Sequence, residues 1–485
     1  MAVRILNKLW ILAGLVALNG CAKLVTVPPP VTELSSENVY STNSTASGVM
    51  TGVYIGFTLG PALSPGGASL YRFSLEGGLS ADELTLYGGS TNSYQPLLQF
   101  YQNNLMGGGP GTDPQTIWFD CYSGIYKCNQ ALEKLSGPNG LTTSVRQQLT
   151  GEAEFMRAFF YFYLVTLYGN APLILHSNYG DNVSLARGPQ ASIYRQIIAD
   201  LLDAANLLTS GYVGGDAMSP TAERVRPNKW AAKALLARVY LYTGAYDSAE
   251  IQSSAVIGNT SLYDTTSLNS VFLKNSREAI WQVQPVNTGW STPDAQIFVL
   301  SAAGPTTGNF NPVYLSPNLL GSFEQGDARR QNWIDSVIVN DTTYYYPFKY
   351  KSATYNAPVT EYEMVLRLGE QYLIRAEARA KENKIQEAQA DLNIIRKRAG
   401  LSNTTANDQA SLLAAIAHER QVELFTEWGN RWLDLKRTQK VDSVMGMPGD
   451  VCAKKGGTWK SDWQWYPVPV YDIVQDPNLT QNSGY

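Results

Sequence analysis

Apolar residues recur every three or four positions along several long stretches of the chain, the spacing of helices with one buried face. Over 116–135 (TIWFDCYSGIYKCNQALEKL), Ile117, Cys121, Ile125, Cys128 and Leu132 fall on that period. Residues 145–168 continue it and end at Gly169, with Pro172 just beyond, a stop signal for a helix. The same reading predicts helices over 190–208, 227–243, 246–257, 368–381, 385–399 with Gly400 as cap, and 412–437 as one uninterrupted helix. The predicted fold class is mostly α.

Two of these helix pairs resemble each other. Ala237 in ALLARVYLYTGAYDSA and Ala376 in LIRAEARAKENKIQEA each precede a second helix, and Ala249 and Ala388 open those second helices at the same offset. Small residues let neighbouring helices approach closely, as in tetratricopeptide repeats. Between the helices lie two long irregular stretches rich in glycine and aromatics, 58–112 and 284–360. Loops of that length in a compact protein usually carry function.

The amino terminus reads differently. Arg4 and Lys8 precede an apolar run of ten residues (LWILAGLVAL), too short to span a bilayer and suited to a signal-peptide core. The segment closes on Leu18-Asn19-Gly20-Cys21, where the thiol is the group a lipoprotein site requires to take a diacylglycerol. The expected division is a lipoprotein signal peptide over 1–20, a lipid anchor at Cys21 with a Pro-rich tether over 21–34, and one helical domain over 35–485. Two or more acyl chains on Cys21 would hold firmly to a membrane.

Composition narrows the function. The net charge is −4, or −6 once Arg4 and Lys8 are removed, and no Lys/Arg cluster stands out, which argues against nucleic acid as a partner. Charged residues make up 16%, against about 25% in typical domains, and the difference is filled by neutral polar residues and 29 tyrosines. Such a surface hydrogen-bonds and stacks on neutral polar ligands, as sugars are. Cys121 and Cys128, seven apart on one predicted helix, would sit about 10 Å apart, beyond disulfide reach, leaving Cys452 to pair with either.

Catalytic signatures are missing. The two histidines, His176 and His418, stand in no zinc-binding spacing, and neither a nucleophile elbow nor a phosphate loop occurs. Asp82-Glu83 reads as a solvated pair or a cap before Leu84. Glu419, Glu423 and Glu427 share one predicted helix with Arg420, Arg431, Asp434 and Arg437 and read as an ion-pair lattice tying helices together, with Glu427 and Arg431 in the favourable i,i+4 order. No cofactor, metal or enzyme activity is expected, with a surface glycosidase built on Asp82 or Glu83 the less favoured alternative. A binding protein needs only stacking rings and polar companions. The candidates, drawn from the two irregular stretches, are Tyr71, Tyr87, Asn92, Tyr94, Trp290, Phe310 and Trp333.

Several blocks resemble the SusD/RagB family of Bacteroidetes outer-membrane lipoproteins. These are GEAEFMRAFFYFYLVTLYGNAPLI at 151–174, KWAAKALLARVYLYTGAYDSA at 229–249, VLRLGEQYLIRAEARA at 365–380, LNIIRKRAGL at 392–401, AIAHERQVELFTEWGNRWLDLKRT at 415–438, and an ending that runs from Trp465-Tyr466-Pro467 to Tyr485. The resemblance implies about four tetratricopeptide-like helix pairs beside a large irregular, ligand-facing half. It also implies an outer-membrane lipoprotein, facing outward, that captures an oligosaccharide and delivers it to a SusC-like TonB-dependent transporter. A peptide is the alternative ligand, as in the RagB branch.

Overall fold

In a computed structural model the protein is described over residues 39–58, 71–92, 94–107, 114–286, 288–308 and 310–485. The signal segment, Cys21 and the tether lie outside the described residues. The longer helices are α1 (Asn43–Thr58), α2 (Tyr71–Ser80), α3 (Gln95–Tyr101), α4 (Pro114–Ser136), α5 (Thr143–Tyr168), α6 (Gln190–Leu207), α7 (Lys229–Thr243), α8 (Tyr246–Ile257), α9 (Leu368–Lys381), α10 (Ile385–Arg398), α11 (Gln409–Glu423), α12 (Asn430–Arg437) and α13 (Val470–Gln475). Strands are few and short: β1 (Leu84–Leu86), β2 (Ala279–Val283), β3 (Val313–Leu315), β4 (Ile334–Val339), β5 (Thr342–Pro347) and β6 (Glu363–Arg367). They pair only as antiparallel couples, β1 with β3, β2 with β6 and β4 with β5. The fold is mostly helical.

From α4 to α11 each helix packs on the next in sequence, which gives a continuous helical layer. Local chemistry sets the ends. Asn228 caps α7 by accepting from the amides of Trp230 and Ala231, and Gly244 ends it with φ of 77°. Asp408 and Ser411 form a reciprocal capping box at the start of α11. Helix α5 is buried on every side over Phe155–Tyr168, as expected of a helix apolar all round. Its close approach to α4 needs Gly124, where a Cβ would fall 2.2 Å from the Phe160 ring. The paired alanines behave as their spacing predicts: Ala237, Ala249, Ala376 and Ala388 are all fully buried between helices.

Two sequence expectations are corrected. The irregular stretch 58–112 contains the helices α2 and α3. The predicted helix 412–437 is broken: α11 stops at Glu423 and α12 starts at Asn430, because Thr426, Trp428 and Gly429 take left-handed backbone conformations. Close contact with α2 requires glycine on both sides: a Cβ on Gly429 would fall 2.9 Å from the Phe73 carbonyl oxygen, and one on Gly77 would fall 2.6 Å from the Gly429 Cα. The break also separates Glu427 from Arg431. Arg431 instead holds Asp82 through two hydrogen bonds of 2.7 and 2.8 Å.

The freed acids build a buried ion lattice. Arg367 at the end of β6 reaches Glu423 at 2.5 Å and Glu427 at 2.7 Å. Arg329 pairs with Asp327 at 2.8 Å, Glu419 at 2.7 Å and Glu423 at 3.0 Å, and Arg398 joins Glu423 to Glu278. Lys349 donates to Glu427 and to the carbonyls of Glu423 and Phe425. Burial raises the Glu423 carboxyl, but Arg398, Arg367 and Arg329 outweigh it and hold the group well below its ordinary value. Removing one member of a buried network leaves its partners unpaired, at a cost of about 3–5 kcal/mol. Glu423→Gln is therefore expected to destabilise the protein by about that amount, measured by urea unfolding. A loss below about 1 kcal/mol would mean the lattice is effectively solvated.

Candidate functional site

Strands β1 and β3 meet in register, with Leu84 opposite Leu315, Thr85 opposite Tyr314 and Leu86 opposite Val313. The period of two places Leu84, Leu86, Val313 and Leu315 in the core and leaves Thr85 and Tyr314 half-exposed on the other face. The Tyr87 amide extends the ladder by donating to Pro312 O at 2.8 Å. Tyr344, on β5, then stands edge-on to both neighbours. Its ring centroid lies 5.7 Å from that of Tyr87 and 5.1 Å from that of Tyr314. Three half-buried tyrosines from three chain segments thus form one aromatic surface, within the range of favourable edge-to-face contacts. Burial and the neighbouring tyrosines push the Tyr314 hydroxyl up, and the Tyr344 hydroxyl shifts the same way, so both stay neutral donors. Exposed Thr342 and Thr343 flank the group on β5.

Asn92 braces this surface from beneath. It is 2% exposed, donates to Tyr87 O at 2.7 Å and accepts from the Tyr94 amide at 2.8 Å, so it shapes the loop that carries Tyr87. Tyr94 is half-buried against the core. Trp290 belongs to a different group, tilted against exposed Tyr355 at 5.2 Å, with the two segments joined by the Asn356 amide on Gly289 O. Phe310 is 56% exposed on the loop that leads into β3. Two candidates lie inside. Trp333 has no exposed surface, and its Nε1–H donates to Leu268 O at 2.9 Å beneath Lys349. Tyr71 opens α2 and is buried in the core. Of the residues named from sequence, Tyr87 alone sits in the tyrosine group. Its partners Tyr314 and Tyr344 were legible only as aromatics of the second irregular stretch, since the pairing of β1 with β3 depends on residues more than two hundred positions apart.

The acid pair beside β1 is not solvated, contrary to expectation. Asp82 and Glu83 are 4% and 1% exposed. Burial raises the Asp82 carboxyl, but the Arg431 guanidinium more than compensates and holds it below its usual value. Glu83 has no such partner, and burial together with the Asp82 charge pushes it up to about 8. Cys121, Cys128 and Cys452 are free buried thiols, which closes the disulfide left open for Cys452. His418 bonds Ser322 O at 2.7 Å in a packing role. Among the described residues no group of three or more His, Cys, Asp or Glu is arranged to hold a metal ion.

A family model described as the SusD family matches residues 278–485, and one described as starch-binding, associating with outer membrane, matches 91–241. The chain belongs to the SusD family. The SusD-like protein P2 of Formosa agariphila is 26% identical over 435 residues, covering 79% of this chain and 83% of that one. A SusD superfamily structure from Bacteroides vulgatus superposes with a TM-score of 0.76 at 19% identity, over 91% of this chain and 99% of the other. A structure described as a laminarin binding SusD-like protein gives 0.73 at 24% identity, over 92% and 100%. These likenesses carry the SusD fold, and no enzyme family is indicated among them. No helix among the described residues is long and apolar enough to cross a membrane.

Glu83 gives a pH test. A carboxyl whose folded pKa is raised from 4.5 to about 8 adds stability in acid that is lost as pH rises through that window. Glu83→Gln cannot ionise, so wild type is expected to lose stability relative to this variant between pH 5 and pH 9, read by thermal melts at both. Parallel curves would show that Glu83 is already ionised in the acid range.

Proposed function

We propose that this SusD-family chain is a non-enzymatic capture protein that binds an oligosaccharide on the Tyr87–Tyr314–Tyr344 surface. The observation that carries the reading is the tyrosine group itself. Sugar rings present apolar C–H faces that stack on aromatic rings, while their hydroxyls pair with neutral donors and acceptors such as the tyrosine and threonine hydroxyls here. The laminarin-binding relative shows that this fold serves a glycan in at least one other protein. Phe310 and the Trp290–Tyr355 pair are the further exposed rings that a longer chain would meet. In this reading Asn92 positions Tyr87, and Tyr94 supports the same loop.

The family and the amino terminus support the remaining elements of the reading. The signal segment 1–20 is removed, Cys21 carries the lipid, residues 21–34 serve as tether, and 35–485 form the capture domain at the outer face of the outer membrane. The ligand then passes to a SusC-like TonB-dependent transporter.

Calorimetry or affinity electrophoresis against a panel of glycans and peptides tests the reading. Tyr344→Ala is expected to weaken the glycan that binds by at least tenfold, about 1.4 kcal/mol, with Trp333→Phe leaving the affinity unchanged. Binding of peptides alone would move the protein to the peptide-capturing branch. In cells, Cys21→Ala is expected to abolish labelling by radioactive palmitate and release the protein from the membrane fraction; retention of both would overturn the anchor.

A further inference from the structure

A second cleft, of about 650 Å³, lies between α4, the segment that follows α5, and the C-terminal helix α13. That volume is within the usual range for ligand sites. Its floor is fixed. Buried Trp118 donates from Nε1 to Asp472 Oδ2 at 2.8 Å, and Tyr122 packs on the Trp118 ring at 4.9 Å while donating to Pro172 O at 2.8 Å. Its walls are left open, with Tyr126, Tyr179 and Tyr471 at 47%, 76% and 64% exposure.

Helix α13 has an inverted pattern. Val470, Tyr471 and Val474 are exposed at 40%, 64% and 75%, so half of this six-residue helix presents apolar side chains outward. Isolated exposed apolar residues are ordinary, but here Tyr471 lines the cleft while Val470 and Val474 continue the exposed apolar side of the same helix outside its lining, and apolar residues grouped in this way mark a surface that a partner covers. The ionisable groups of the lining, apart from tyrosine, are the carboxyls of Asp472 and Asp476, with no Lys, Arg or His among them. Arg187, which neighbours Tyr122, is engaged by the carbonyls of Tyr168, Asn170 and Thr480.

We propose that this cleft docks an extended segment of a partner protein in which a Lys or Arg side chain stands between apolar residues. The cation meets the faces of the tyrosine rings and the two carboxylates, an arrangement that favours positive charge twice over. The flanking apolar residues cover Val470 and Val474. An anionic segment is repelled by Asp472 and Asp476. A neutral sugar would use the rings but leave both the charge and the exposed valines unanswered.

The test uses the full mature chain and two fluorescent peptides, acetyl-Leu-Lys-Val-Lys-Leu-amide and its counterpart with glutamate in place of lysine, read by anisotropy. The basic peptide is expected to bind at least tenfold more tightly than the acidic one, and more weakly as salt is added. Tyr471→Ser and Asp476→Asn are each expected to reduce that binding fivefold or more. Both side chains lie at the surface, and unchanged melting temperatures confirm that both variants fold. Equal binding of the two peptides, binding of neither, or unaltered binding in both variants overturns the proposal. So does displacement of the basic peptide by a β-glucan oligosaccharide, an outcome that would make the cleft a sugar site.

Discussion

Glu423 lies where the helical layer, strand β6 and the chain leaving the β4–β5 hairpin come together, and its carboxylate is shared by Arg329, Arg367 and Arg398. Everything built on the irregular side depends on this junction. Arg367 terminates β6, Lys349 follows β5, and Arg329 opens the turn that leads into β4, so each basic residue fixes one irregular segment to the end of α11. Such a lattice is a poor source of net stability, because apolar residues of equal volume would do as well. What it supplies is a single arrangement: each guanidinium is satisfied only when the segments meet in one register.

The tyrosine surface profits from that arrangement. Its three rings come from the residue just after β1, from β3 after a long loop, and from the second arm of a hairpin, and none of these strands is long enough to be stable alone. Buried Leu84, Leu86, Val313 and Leu315 anchor the first pair, and the hairpin is held by Lys349 at its exit. The rings are thereby presented on a preorganised platform, which lowers the ordering cost that a ligand must offset.

The helices were legible because a period of 3.6 over fifteen or more residues survives in a single sequence. Ala237 and Ala376 could be matched because close helix packing leaves a small residue at a fixed place. The break at 424–429 was not legible, since residues 412–437 remain periodic, with acids and bases interspersed, and the left-handed Thr426, Trp428 and Gly429 lie where the chain packs against α2. The site was harder still. Tyr71 and Trp333 share the composition of ligand-facing aromatics, yet Trp333 is placed inside by the hydrogen bond to Leu268 and the cation above it. Asn92 was chosen as a polar companion and is instead the brace of the Tyr87 loop. Tertiary contacts distinguish these roles, and the pairing of β1 with β3 that assembles the tyrosine group leaves no local mark.

A crystal structure of the protein with the oligosaccharide that binds most tightly tests the account most directly. It predicts sugar rings in van der Waals contact with Tyr87, Tyr314 and Tyr344, with the backbone of β1, β3 and β5 unmoved. Ordered sugar elsewhere on the molecule, with those three rings bare at saturating ligand, would contradict it.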